Sequence, residues 1–221
     1  MAETEQPLGL RERKKQRTRQ HIADTARRLF AERGFEAVTV MEIAREAEVA
    51  PATVFNYFPT KEDLFYSRLE EFEDALLDAI RQRPAGKSIL AAFSDFLLGQ
   101  HGILALDSPD PEVTERVRTV TRIVVESPAL MARERQVLDR YAQTLAALIA
   151  EEIRAKPGDV LPSVTANVLL GLHRALIEHV RRLALDGEPP PRIGASVRRQ
   201  IRRAVRQLEH GLGDFAVRAP R

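Results

Sequence analysis

The side chains able to do chemistry gather between Thr39 and Lys61, in the stretch TVMEIAREAEVAPATVFNYFPTK. They are hydroxyls, a carboxamide, aromatic rings and ammonium or guanidinium groups, with no nucleophile and base set side by side. Such a set suits recognition of a nucleic acid better than bond making. An asparagine such as Asn56 can pair with adenine through two hydrogen bonds, and Pro51, Ala52 and the methyl of Thr53 can meet thymine methyls. Asn56 can equally face the phosphate backbone. Upstream, Arg11 to Arg19 (RERKKQRTR) holds six basic residues and one acid. Cations oppose the positive end of a helix dipole. Arg13, Lys14, Lys15 and Arg17 are therefore better explained as phosphate contacts than as a helix start, although a solvated helix start is the plain alternative.

These residues need elements to hold them. Thr39 suits a helix N-cap, and Glu42 three residues later completes a capping box. Ile43, Ala44 and Ala47 share one helical face. After an interruption at Glu48 to Ala50, Pro51 fits the first position of a second helix, where its missing N–H costs nothing. Pro59 ends that helix, because a proline disfavours helical geometry in the residue before it. Thr60 then caps a further helix, with Asp63 at the box position. Two short helices joined by a tight turn are the form of a helix-turn-helix, whose second helix lies in the DNA major groove. Val54 and Phe58 are expected in the core; Phe55 and Tyr57 are divided evenly between core and groove.

Ahead of this pair, Ile22, Ala26, Leu29 and Phe30 recur at helical spacing, and Gly34 closes the helix. Residues 1–10 lack periodicity and read as an arm. Lys61 to about Arg81 reads as one amphipathic helix leading out of the head. Ser88 to about Leu106 reads as another, before the loop LDSPDPE. Val113 to Val125 is rich in β-branched residues, yet Val113, Val117, Val120 and Val124 fit a helix face. Two long helices follow, the second running from Pro162 to Leu185. After a linker, GEPPP (Gly187 to Pro191), the last helix carries Ile193, Val197, Ile201, Val205, Leu208 and Leu212 on one stripe. The expected architecture is all-α: a helix-turn-helix head at 11–65 with its motif at 39–58, then a helical body at 66–221, about nine helices in all.

Composition bounds the rest. The 221 residues carry a net charge of only +2, so any basic surface is local. There are no cysteines, which excludes disulfides, thiolate zinc sites and thiol redox sensing. No apolar run reaches the roughly 18 residues of a membrane span, and the polar N-terminus is no secretory signal; a cytoplasmic protein is the simplest reading. There is no Gly-rich phosphate loop, no G-x-S-x-G and no H-E-x-x-H, so an enzyme is not expected, nor a cofactor. His101, His173, His179 and His210 show no metal-ligand spacing.

With these features in place, the stretch Gly34 to Phe65 (GFEAVTVMEIAREAEVAPATVFNYFPTKEDLF) closely resembles the TetR/AcrR family of transcriptional regulators. Beyond Phe65 only the pattern of helices agrees. The resemblance implies a repressor that binds a near-palindromic duplex operator as a homodimer and is released by a small-molecule effector. An activator, or a ligand-independent DNA-binding protein, is the alternative. It implies that Thr39, followed by Val40 and Met41, holds a phosphate at the start of the second helix. It also implies that Ala50, Pro51, Ala52 and Thr53 meet base edges or phosphate, that Phe55 stands at a position that contacts the backbone, that Tyr57 is the usual aromatic near the end of the DNA-binding helix, and that Lys61 binds phosphate. Three departures stand out. Glu48 replaces the usual turn glycine, Ala50 replaces a capping serine, and Phe55 lacks the hydroxyl of the common tyrosine. For the body, dimerisation is expected through the apolar stripes of the last two helices, and effector contacts at Arg122, Tyr141, Asn167 and His173. The expected outcome for Thr53→Ala or Lys61→Ala is weaker operator binding with unchanged helicity by circular dichroism.

Overall fold

A computed structural model describes residues 10–99 and 111–212. Every regular element in them is a helix: α1 (Leu10–Arg33), α2 (Val40–Glu46), α3 (Pro51–Tyr57), α4 (Lys61–Phe65), α5 (Ser67–Arg81), α6 (Ile89–Leu98), α7 (Pro111–Glu126), α8 (Pro128–Glu152), α9 (Leu161–Leu185) and α10 (Pro190–Leu212). The chain divides into two compact units, Met1–Arg68 and Leu69–Arg221. The β-branched stretch after Pro111 is helical, as its 3.6-residue spacing requires.

The first unit is built on α1, which packs against α2 and α4 while α2 packs on α3. Its core takes Ile22, Ala26, Leu29 and Phe30 from α1, Phe35 and Val38 from the following loop, Ile43 and Ala44 from α2, and Val54 and Phe58 from the α3 segment; all are buried. Phe30, Phe35 and Phe65 form a triangle of tilted and edge-on rings with centroids 5.1 to 5.9 Å apart. Gly34 stops α1 with φ +81°, a left-handed conformation that glycine adopts without a Cβ penalty.

In the second unit α9 is central: α7, α8 and α10 all pack on it, and α10 also packs on α6. One apolar core runs through this unit, with Phe93, Leu97, Leu138, Ile149, Leu169, Val197 and Ile201 fully buried. Two ion pairs lie at its margins. Arg83, itself buried, donates to the carbonyls of Ile80 at 2.7 Å and Lys87 at 3.0 Å and pairs with Glu152. Arg181 pairs in a fork with Glu134.

Four expectations change. The helix starting at Lys61 is interrupted at Tyr66, whose backbone leaves the helix at φ −90°, ψ 13°, so α4 and α5 are separate. The helix after Ser88 ends at Leu98 rather than near Leu106, with Gly99 as its extended C-cap; residues 100–106 lie outside the described residues. Pro190 and Pro191 belong to the first turn of α10 rather than to a linker, because proline has a helical φ and no N–H to leave unpaired there. Most importantly, Ile193, Val197, Ile201 and Val205 of α10 are buried in the chain's own core. They are not available to a second copy.

Phe58 is fully buried at the junction that closes α3. Phe58→Ala should destabilise the first unit by about 3–5 kcal/mol, the range for truncating a buried phenylalanine. Hydrogen exchange of the α2 and α3 amides checks this: protection there should collapse while that of α8 and α9 persists.

Candidate nucleic-acid interface

The helix pair is set by its caps. Thr39 Oγ1 accepts from the Glu42 amide at 3.2 Å, while Glu42 Oε2 accepts from the Thr39 amide and hydroxyl, each at 2.9 Å. The Thr39 amide above all, then its hydroxyl, hold the Glu42 carboxyl below its ordinary pKa. The expected capping box is therefore present. It also engages the hydroxyl that the resemblance assigns to phosphate, and a phosphate would have to displace Glu42 from it. Of the next two residues, Val40 is half-buried and Met41 exposed.

The turn closes by a Schellman motif. The Val49 amide donates to the Ala44 carbonyl at 2.9 Å and the Glu48 amide to that of Arg45 at 3.2 Å. This geometry needs a left-handed residue, and Glu48 takes φ +52°. The absence of the usual glycine leaves the turn intact but strained. Ala50 caps α3 with its backbone alone, having no side-chain hydrogen bond.

On α3, Val54 and the adjoining Phe58 are buried, whereas Ala52, Phe55 and Asn56 are exposed and Pro51, Thr53 and Tyr57 half-buried. Phe55 is 49% exposed, so its ring belongs to the outer face rather than the core. A large aromatic left in water beside a carboxamide and a methyl-bearing hydroxyl is a surface suited to stacked or groove-lying bases. Nearby, Arg13, Lys14, Lys15 and Arg17 are all exposed on the first turns of α1. Only Lys15 is paired, weakly, with Glu12 at 3.9 Å; the other three have no ion-pair partner among the described residues. Arg19 lies over the Phe58 ring at 4.9 Å, which ties α1 to the end of α3.

Lys61 takes a different position from the one expected. Its ammonium donates to the carbonyls of Phe35 at 2.9 Å and Val38 at 3.2 Å and sits 4.2 Å from the Phe35 ring centre. Two of its three N–H groups are thus taken by the α1–α2 loop, which leaves one for a phosphate. Sequence reading also missed the Arg28–Glu46 bond of 2.6 Å joining α1 to α2. No local signal marks a pair 18 residues apart.

In the second unit the four proposed effector contacts separate. Arg122 is exposed. Asn167 is exposed and donates to the Ser163 carbonyl at 2.8 Å, on a groove of about 270 Å³ shared with Asp139 and Gln143. Tyr141 is buried, and its hydroxyl donates to the Leu69 carbonyl at 2.8 Å. His173 is buried, stacked on Phe72 with ring centres 4.8 Å apart, and neither ring nitrogen has a hydrogen-bond partner among the described residues. Burial drives its pKa down to about 4. Tyr141 and His173 thus both meet the first turns of α5. His101 lies outside the described residues, and no group of three metal-binding side chains occurs among those described. No helix among the described residues is long and apolar enough to cross a membrane.

Comparison with known proteins gives this geometry a context. Residues 22–67 match the family described as bacterial regulatory proteins, tetR family, and residues 100–213 match the MftR C-terminal domain. The chain is 30% identical over 171 residues to the candidate mycofactocin biosynthesis transcriptional regulator MftR of Mycobacterium tuberculosis, covering 76% of this chain and 81% of that protein. It is 34% identical over 146 residues to the HTH-type transcriptional regulator TcmR of Streptomyces glaucescens, covering 63% of each. The solved structure of Salmonella enterica GusR shares the fold with a TM-score of 0.52, at 18% identity over 89% of this chain and 95% of that one.

Two stability outcomes follow from the turn and the lysine. Glu48→Gly should stabilise the first unit by about 1 kcal/mol by relieving a left-handed side-chain residue. Lys61→Met should destabilise it by about 1–3 kcal/mol, because the Val38 carbonyl loses the lysine donor and the Phe35 carbonyl keeps only the 3.4 Å bond from the Val38 amide. Urea denaturation followed by circular dichroism measures both. The second result would replace the expectation that Lys61 can be truncated without structural consequence.

Proposed function

Because the chain belongs to the tetR family of bacterial regulatory proteins, which are DNA-binding transcription regulators, we propose that it is a sequence-specific repressor released from its operator by a small-molecule effector. One observation carries the DNA-reading part. A seven-residue helix buries Val54 on one side and exposes Ala52, Phe55 and Asn56 on the other, in the same unit as the exposed cations of α1. On this reading Pro51, Ala52, Thr53 and Asn56 meet the major groove, Phe55 packs against sugar or thymine methyl, and Arg13, Lys14 and Arg17 neutralise phosphates. Phosphate contacts set the register and base contacts set the sequence. Thr39 and Lys61 act first as organisers of the reading helices and only secondarily on phosphate.

We place the homodimer on α9 rather than on α10. Val160, Leu161 and Val164 are more than half exposed or close to it, and Gly171 and Ala175 continue their side of the helix as small exposed residues. That outer stripe would meet its symmetry mate in an isologous contact. Two heads would then read the half-sites of a near-palindrome.

The effector reading rests on His173. A buried imidazole with both nitrogens unpaired costs about 1–3 kcal/mol. A ligand supplying a hydrogen-bonding group there would recover that cost in the bound state alone. Neutral at pH 7, the ring can donate once and accept once, and Phe72 beside it suits an aromatic or apolar body. Coupling would run through α5, which Tyr141 and His173 both contact. The effector weakens operator binding only by its differential affinity for the two states. A helix-breaking change near Leu69 would then uncouple effector from DNA release.

The experiment is a fluorescence-anisotropy titration against the DNA upstream of the protein's own coding region, with a scrambled duplex as control, at several salt concentrations. Selective binding with a steep salt slope is expected. Neutralising Arg13, Lys14 and Arg17 should reduce the slope by about one per residue. Equal binding of both duplexes would overturn sequence-specific reading. For the effector site, His173→Phe should raise stability and abolish effector-induced release. Between pH about 6.5 and about 4 the unfolded chain holds a proton that the folded one lacks at His173, so stability falls as pH drops through that window. His173→Phe should flatten that fall in thermal melts.

A further inference from the structure

Some way along α9 from His173, α9 and α10 flank an open groove of about 340 Å³ lined by Leu183, Glu188, Arg192, Ala195, Ser196 and Arg199. Its hydrogen-bonding character can be worked out group by group. A guanidinium can only donate, so Arg182, 2.8 Å from Nδ1 of His179, fixes that nitrogen as an acceptor. The His179 proton therefore sits on Nε2 and is donated to Ser196 Oγ at 2.9 Å. Arg199 also donates to the same oxygen at 3.4 Å. With both lone pairs of Ser196 engaged, its own O–H is left to donate elsewhere. Arg192 and Arg199 add further N–H groups on the wall. The one carboxylate among the lining residues, Glu188, is paired with Arg192 at 3.5 Å.

We propose that this groove is a binding site for a small organic oxyanion, a carboxylate or a phosphate monoester, held by Arg199, Arg192 and the Ser196 hydroxyl, with its carbon body against Leu183 and Ala195. The lining side chains include two guanidiniums and one carboxylate, so an anion offsets a local excess of positive charge. Guanidinium forks match the oxygen geometry of both anion classes. The volume is near the lower end for small-molecule sites. His179 reports on the same charge: burial lowers its pKa first, and Arg182 and Arg199 lower it further. An anion seated among those arginines would raise it. The site depends on neither the operator nor the effector reading. Along the α9 axis about 10 Å separates Arg182 from Ala175, the last residue of the proposed dimer stripe, at 1.5 Å per residue.

The test is a histidine-detected NMR titration of the full chain in 0.15 M salt, with the His179 signal assigned by its loss in His179→Gln. Phenyl phosphate, benzoate and inorganic phosphate are added separately, with benzylammonium as a cationic control. A saturable shift with an elevated His179 pKa is expected for at least one organic anion. Arg199→Gln, an exposed residue whose change leaves the core untouched, should weaken that binding at least tenfold with circular dichroism unchanged. Phenyl phosphate binding ahead of benzoate identifies the phosphate class, and the reverse order identifies the carboxylate class. Tighter binding of phenyl phosphate than of inorganic phosphate would show that the apolar wall is used. The proposal fails if no organic anion gives a saturable shift, if Arg199→Gln leaves the shift unchanged, or if benzylammonium produces the same response.

Discussion

Two helices of seven residues cannot stand alone in water, since isolated helices shorter than about 12–15 residues are marginal even in the best sequences. Everything the head presents to a partner depends on overcoming that limit. Caps and burial together do so. Thr39 and Glu42 satisfy the first amides of α2, Thr60 and Asp63 do the same for α4, and Val54 with Phe58 buries the inner side of α3 in the core of the first unit. The exposed face of α3 is free to carry Phe55 and Asn56 only because the opposite face is fully committed.

The second unit solves the matching problem on a larger scale. Its helices are long enough to bury continuous stripes, and α9, surrounded on three sides by α7, α8 and α10, distributes the packing. Its buried charges are matched rather than isolated: Arg83 meets two carbonyls and Glu152, and Glu134 meets Arg181. Removing one member of such a pair leaves the other desolvated and uncompensated. His173 stands apart from this order, as a polar group buried with nothing to bond to.

What the sequence revealed was local. Capping boxes, a proline at the start of a helix and a glycine at its end are written within four residues, and Thr39, Pro51 and Gly34 could be read directly. So could the helical spacing of Val117, Val120 and Val124, against their strand propensity. Long-range facts were not legible. Lys61 reaches carbonyls 26 and 23 residues away, and Arg83 reaches Glu152 across 69 residues. The stripe of α10 was plain, but periodicity tells that a face is buried and not which surface buries it, so Val197 and Ile201 were assigned to a partner when they serve the chain's own core. At Glu48 the residue type argued against a left-handed turn, and the two Schellman hydrogen bonds prevailed.

The position of Lys61 has a chemical consequence. The chain has five lysines, Lys14, Lys15, Lys61, Lys87 and Lys156, against twenty-nine arginines. An amine-directed acylating reagent therefore meets few targets, and the two on α1 stand in open solvent. The Lys61 amine is different: it must release two carbonyls and slide off the Phe35 ring before its lone pair can attack an electrophile. Its acylation is thus gated by opening of the loop it ties down, which makes it a slow clock inside the head, with Lys14 as the ungated reference in the same molecule.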